Sequence, residues 1–301
     1  MLFKYLLATL FIATTLFGKS NFGAIATGST TGTYIQIGKE LSNIFRKYSS
    51  TLEVIPTKGS KSNLDALTGK NEYARAKWAI VQSDALDYYN FLHFKRTKKD
   101  VTGLIKTILP MYSEHIHMFV KKGNENKISF KKGSEIIVGV PSKTSGANIT
   151  ANLIENAYGV TFSFRYVNYQ KAIHYLKKDK LDIYLDVISL PAQKYANLEG
   201  ISLLELPQNQ LMNKKYIRSE FNKSTYSWLD KTVLGYKVPS VLVTNRVDKK
   251  YNQVVGVFVK IILNNYHNLI ATGHPKWKEA YQNKLLEVQN MHPVAYKILH
   301  Q

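Results

Sequence analysis

Between Ala24 and Tyr34 the chain reads Ala-Ile-Ala-Thr-Gly-Ser-Thr-Thr-Gly-Thr-Tyr. Gly28 and Gly32 let the backbone approach a ligand closely, and Ser29, Thr30, Thr31 and Thr33 surround them with hydroxyls. Tyr34 adds a ring that can stack or donate. Where such a loop opens a helix, unpaired N–H groups and a partial positive charge make a seat for an anion. An ordinary strand-to-helix turn has the same composition, so the rest of the chain must decide.

Comparable chemistry recurs. Pro141-Ser142-Lys143-Thr144-Ser145-Gly146 is a second hydroxyl-and-glycine loop, and Thr57-Lys58-Gly59-Ser60-Lys61-Ser62-Asn63 is a third. Gln82-Ser83-Asp84 and Ser189 each follow an apolar run. Ser60 or Ser62, and Ser83 or Asp84, are also natural helix caps, a role compatible with ligand contact. Tyr112 and Glu114 stand just before His115 and His117. Two histidines at i, i+2 on a strand can ligate a metal, which makes an exported metal-dependent enzyme the remote alternative. No third ligand is spaced with them and the chain has no cysteine, so packed histidines are the preferred reading.

The elements that would position these groups follow from periodicity. Phe22 to Ala26 is a short apolar strand, and Ile35, Ile37, Leu41, Ile44 and Phe45 fall at helical spacing. Leu52 to Pro56 is a second strand with a helix from Leu64, and Trp78 to Val81 a third with a helix over Ala85 to Phe91. Repeated strand, polar loop and helix units argue for parallel sheets with their loops gathered at one edge. A basic connector spans Phe94 to Thr102. Leu104 to Leu109 is an apolar run stopped by Pro110, and an extended pattern resumes over His115 to Val120. Further strands are expected at Ile136 to Val140, Phe162 to Val167, Asp182 to Val187 and Ile201 to Leu206. Helices are expected at Ala147 to Tyr158, Tyr169 to Lys178 and Val254 to Asn268, with Pro191 opening another. Lys276 to Leu299 reads as helical, broken at Pro293. Val238 to Asn245 is extended, a second crossing between lobes, whereas Leu211 to Asp230 has too weak a period to place.

At 301 residues and 45% hydrophobic content the chain can bury two domains' worth of core. Met1 to Ser20 reads as an export signal: Lys4 is followed by an apolar run, Leu6 to Phe17, too short for the ~20 residues that span a bilayer. Cleavage is expected near Ser20; a retained N-terminal anchor is the alternative. Without cysteine there is no lipid attachment, which points to the periplasm of a cell with two membranes. The formal charge of +20 is carried mostly by scattered lysine pairs, with no nucleic-acid motif among them. It is read as solvated surface that can steer small anions rather than as a nucleic-acid footprint. The 20 tyrosines would be the argument for an adhesion module, but they fall at core spacings.

Taken in order, these motifs resemble the TAXI family, the solute-binding subunits of one branch of tripartite ATP-independent (TRAP) transporters. The family's GTGGTGGTYYPVG is matched by Ala26 to Tyr34 with Gly38, its TGGSxxNL by Thr57 to Leu64, and its VQSD intact by Val81 to Asp84. LYPExVHxxV resembles Met111 to Val120, GxPGSGTExTA resembles Gly139 to Ala151, and LHPGA is echoed by Met291 to Ala295. Departures lie at Ser29, Thr30, Thr31 and Ser113, and in the second loop, which has one inserted residue and Ala147 and Asn148 where the family has Thr and Glu.

The resemblance implies an α/β fold of the two-lobed periplasmic binding protein type (type II). Each lobe would be a mainly parallel sheet flanked by helices, lobe 1 from 21–113 plus 241–301 and lobe 2 from 114–240, joined by a hinge. It implies a monomeric, non-enzymatic protein without cofactor that captures a small solute, glutamate-, glutamine- or dicarboxylate-like, for a TRAP permease. A receptor for an ABC-type importer of amino acids or of an inorganic or phosphorylated anion is the nearest alternative. The expected ligand-binding residues are Gly28, Ser29, Thr30, Thr31, Gly32, Thr33, Tyr34, Ser60, Gln82, Ser83, Asp84, Tyr112, Glu114, Thr144, Ser145, Gly146 and Ser189. Glu114 would meet an ammonium group or brace the hinge.

Overall fold

The computed structural model describes residues 20–73, 75–98, 104–284, 288 and 290–301, without the side chain of residue 93. Residues 1–19 of the expected export signal and 99–102 of the expected connector lie outside them, whereas the start of that connector, 94–97, is not a connector but the last turn of a helix, Ser83–Thr97. Two long strands run through the molecule and carry everything else. β4 (Lys106–Lys121) and β10 (Val233–Thr244) pair antiparallel over Lys237 to Thr244, with β4 extending about 50 Å at ~3.3 Å per residue.

On one side of that pair, β10 takes β3 (Ala76–Gln82) antiparallel, and β3 continues in parallel to β1 (Asn21–Ala26) and β2 (Thr51–Ile55). On the other, the far end of β4 takes β7 (Ile183–Ile188) antiparallel, followed in parallel by β5 (Glu135–Val140) and β6 (Thr161–Tyr166). Short β8 (Ile201–Leu203) pairs with β4, and β9 (Ile217–Phe221) pairs with β10. The result is one mixed, ten-stranded sheet among the described residues, flanked by helices.

Parallel neighbours need crossover helices, and the sequence supplies them. These are α1 (Thr33–Lys47), α2 (Ser60–Leu67), α3 (Ser83–Thr97), α4 (Gly146–Tyr158) and α5 (Tyr169–Lys177). α6 (Gln210–Lys215) precedes β9, and α7 (Asn252–Asn264), α8 (Tyr266–Thr272), α9 (Lys276–Asn283) and α10 (Pro293–Leu299) close the chain. α1 buries Tyr34, Ile35, Ile37, Leu41, Ile44 and Phe45. Gly38 lets it sit tightly, because a Cβ there would stand 2.7 Å from Thr27 Cγ2 and 3.1 Å from Val54 Cγ1.

Apolar cores cover both sides of the sheet. Phe22, Trp78, Phe258 and Trp277 anchor one behind β1 and β3, with Trp78 stacked on Phe258 at 3.8 Å. Val138, Ile154, Leu185 and Tyr236 anchor another against β5 and β7. A third core draws residues from both ends of the sheet: Val81 and Leu86 pack there with Ile149 of α4.

Several expectations change. Pro110 does not stop a strand; it lies inside β4 at a shift in the register with β10, where a missing N–H is tolerated. Pro191 follows a cis peptide bond and leads only into a short 3-10 turn, Gln193–Tyr195. The long helix expected from Val254 is two helices bent by 48° at Asn265. The unplaced stretch from Leu211 resolves into α6 and β9.

Candidate functional site

The loops after β1, β2 and β3 meet because one buried side chain ties them. Asn63 Nδ2 donates to Thr27 O at 2.7 Å and to Ile80 O at 2.8 Å, and its Oδ1 lies 2.5 Å from the Thr57 hydroxyl. Thr57 N–H donates to Gly28 O at 2.9 Å, so the second loop also holds the first. Gly32 occupies the N-cap position of α1 with no side-chain cap, which leaves the hydroxyls of the first loop uncommitted to the helix. The N-cap of α2 is Gly59, not a serine; Ser60 Oγ instead accepts the Gln82 N–H at 3.2 Å. Gln82 is likewise the N-cap of α3, and neither Ser83 nor Asp84 caps it as expected. Ser145 does cap α4, accepting from Asn148 N–H at 3.2 Å.

These loops enclose a cavity of about 170 Å3 with the loops after β5 and β7. From the first loop Gly28, Ser29, Gly32, Thr33 and Tyr34 line it; Ser60, Gln82 and Glu114 form its floor; Ser145 and Gly146 close the opposite wall. Those ten were expected from sequence. Seven others stand elsewhere. Thr30 and Thr31 are exposed outside the lining, and Ser83 is half-buried at the start of α3. Asp84 is turned into the packing between α3 and α4, where its Oδ2 accepts from Thr150 at 2.7 Å and from Tyr216 at 2.8 Å. Tyr112 is buried behind Tyr34, with ring centroids 6.2 Å apart. Thr144 offers its carbonyl to the Ser62 N–H at 3.4 Å. Ser189 meets the Thr33 hydroxyl at 2.9 Å beside the cavity.

The fit between the two walls is close. A Cβ on Gly59, whose φ is +120°, would stand 3.0 Å from Ser145 Cα, and a Cβ on Gly146 would stand 1.8 Å from Gln82 Oε1. Both glycines are needed for the approach.

Sequence reasoning missed the charged wall. Lys58, Asp186 and Lys194 also line the cavity. Asp186 lies on β7 opposite His117, and Lys194 reaches it from the turn after Pro191 at 2.7 Å. Tyr195 donates to the same oxygen at 2.5 Å. The signal was available as an acidic residue inside an otherwise apolar strand, Tyr184-Leu185-Asp186-Val187, where a buried charge needs a partner. Burial pushes the Asp186 carboxyl up, but the Lys194 ammonium and the two hydrogen bonds outweigh it and hold it below the usual range.

Glu114 behaves oppositely. Burial lifts its carboxyl to about 8, against the lowering effect of hydrogen bonds from Tyr34, at 2.7 Å, and Gln82; the Asp186 and Asp84 charges raise it further. Near neutral pH Glu114 is therefore a neutral acid. Tyr34, raised by burial and by Glu114, keeps its proton and acts as a donor. With Asp186 neutralised by Lys194, Lys58 leaves the cavity net positive, and hydroxyls and loop N–H groups make it rich in donors. Such a site suits a small anion.

The histidine pair is spoken for by packing. His117 Nε2 pairs with Tyr226 OH at 2.8 Å and Nδ1 with His115 O at 2.9 Å, and burial pushes both rings down, His115 to about 3 and His117 to about 4. Among the described residues no three His, Asp or Glu side chains are grouped to hold a metal ion.

The profile of the NMT1-like family matches residues 25–300. Among solved structures, the ligand-binding component of an ABC-type import system from Staphylococcus aureus, solved with zinc bound, superimposes with a TM-score of 0.50 at 13% identity. That match covers 94% of this chain and 84% of the other. A structure described as a periplasmic transporter also reaches 0.50, at 11% identity over 93% and 95% of the two chains. At such identities the likeness shows a shared fold.

Proposed function

We propose that this chain, which belongs to the NMT1-like family, is an exported solute-binding protein that closes two lobes on a small anionic solute and hands it to a membrane permease. The observation that carries this reading is the cavity itself: donor-rich, net positive, and walled by loops from opposite ends of one sheet. Residues 21–113 with 241–301 form one lobe and 114–240 the other, and β4 and β10 are the two segments that cross between them. A carboxylate sits against the first loop and Lys58, with Ser145 closing from the other lobe. Glu114 remains protonated unless the solute brings an ammonium group, in which case it ionises to meet it.

The solute class is glutamate-, glutamine- or dicarboxylate-like, and the permease is of the TRAP type; both rest on the resemblance of the ordered motifs. An ABC-type importer is the alternative, and it is distinguished by transport in permease-containing vesicles driven by an ion gradient or by ATP. The capture step is tested by native mass spectrometry of purified protein and by thermal shift with glutamate, glutamine, 2-oxoglutarate, succinate and phosphate. A bound solute should raise the melting temperature by mass action, and Ser145→Asp should abolish the rise. No shift with any of these solutes, and no co-purified solute, would sink the reading.

A further inference from the structure

A second feature lies at the end of α3 remote from the cavity. Ten large apolar side chains are exposed among the described residues, and four of them fall between 91 and 104: Phe91 at 58%, Leu92 at 41%, Phe94 at 51% and Leu104 at 49%. Phe91 and Phe94 are three residues apart and share a helix face. Soluble surfaces seldom concentrate aromatic side chains in this way without an occupant. Beside them a groove of about 460 Å3 is lined by Lys61, Lys70, Lys95 and Arg96, with Tyr89 and Leu92 as its apolar floor.

The groove's one carboxylate, Asp65, is already held by Lys61 at 2.7 Å. Lys70 donates to Tyr89 OH at 2.7 Å, whereas Lys95 and Arg96 join no ion pair among the described residues. Lys98 extends the basic run, on a chain of net charge +20. Protruding phenylalanines interleaved with unpaired cations match the boundary of an anionic bilayer, where rings enter the acyl region and cations meet phosphates.

We infer that the C-terminal end of α3 docks this protein on an anionic phospholipid bilayer. Phe91 and Phe94 insert, and Lys70, Lys95 and Arg96 hold lipid phosphates. α3 begins at the cavity and its fifteen residues rise about 20 Å, so the contact leaves the cavity open. This docking stands whether or not the cavity takes the proposed solute.

The test places a reporter at the contact. Phe94→Trp in the full chain is titrated with vesicles of phosphatidylcholine alone and of phosphatidylcholine with phosphatidylglycerol. Trp78 and Trp277 are fully buried and give a steady background, and the partly exposed Trp228 is changed to Phe in every reporter chain. Anionic vesicles should shift the emission to the blue and brominated lipid should quench it, while neutral vesicles leave it unchanged. Lys95→Glu with Arg96→Glu in the same reporter chain should weaken the titration at least about tenfold, as should high salt. Phe91→Ser should weaken it by a similar factor. A silent reporter in folded protein overturns the inference, even if the chain sediments with vesicles through residues 1–19, and so does an equal response to neutral lipid. If the patch meets a protein face instead, the reporter stays silent with every vesicle.

Discussion

Asp84 and Tyr216, 132 residues apart in the chain, meet at 2.8 Å, the tyrosine hydroxyl donating to a carboxylate that is fully buried. Thr150 donates to the same oxygen at 2.7 Å, and the other oxygen, Oδ1, is buried without a partner. Asp84 lies in the first turn of α3, whereas Thr150 belongs to α4 and Tyr216 follows α6, so one carboxylate fastens elements from the two ends of the sheet. One turn along α3, Asp87 and Lys215 pair at 3.1 Å at the surface, a contact too exposed to hold much.

Removing that carboxylate strands two buried hydroxyls. Asp84→Ala should cost about 2–4 kcal/mol, and Tyr216→Phe about 1 kcal/mol, in urea denaturation. The double variant should cost less than the sum, because both changes remove the same contact. Additive losses would show that Asp84 and Tyr216 do not act as a unit.

Glu114 should make stability fall as pH rises. Its carboxyl ordinarily titrates near 4.5 and in the fold near 8, so the unfolded chain releases the proton first. The contribution is complete below about pH 4.5, is lost progressively between the two values, and is constant above about 8. The interval corresponds to on the order of 5 kcal/mol. Glu114→Gln keeps the shape and loses the titration. Relative to the parent, its denaturation midpoint should be little changed near pH 5 and clearly raised near pH 9. Parallel pH profiles for the two proteins would refute the assignment.

The parallel units were legible because their polar loops punctuate strongly β-branched or apolar runs, as Ile136 to Val140 before Pro141 shows. The crossing strands were half legible: Pro110 reads locally as a stop, and only the pairing partner reveals that its missing N–H falls at a register shift. Lys194 was invisible for a different reason. Its role depends on a turn after Pro191 that brings it back to Asp186, a tertiary relation with no period in sequence. The first loop shows a third limit, since six similar residues gave no hint that Thr30 and Thr31 face outward while Ser29 and Thr33 face the cavity.

Gly146 tests the closeness of the two walls. A methyl group there must displace the Gln82 amide, whose oxygen it would approach to 1.8 Å. Gly146→Ala should cost about 1–3 kcal/mol and shrink any solute-induced thermal shift. Adding Gln82→Ala should recover the stability while leaving solute binding impaired. If the single variant binds as the parent does, the walls are not this close in solution.

Asn63 is the strongest test of how the site is assembled. Its amide nitrogen donates to carbonyls at the ends of β1 and β3, Thr27 and Ile80, and its oxygen faces the hydroxyl of Thr57 after β2. Three strand ends thus converge on a single fully buried side chain. Asn63→Asp replaces the donor with an oxygen facing two carbonyl oxygens, so it should cost more than Asn63→Ala although it is the smaller change in shape. The expected losses are about 3–5 kcal/mol for the aspartate and about 2–3 kcal/mol for the alanine, read from urea midpoints at neutral pH. The aspartate should regain part of its loss as pH falls towards its own titration, because protonation restores one donor, whereas the alanine should not. Equal losses with equal pH dependence would mean that Asn63 fills space rather than joining the three loops.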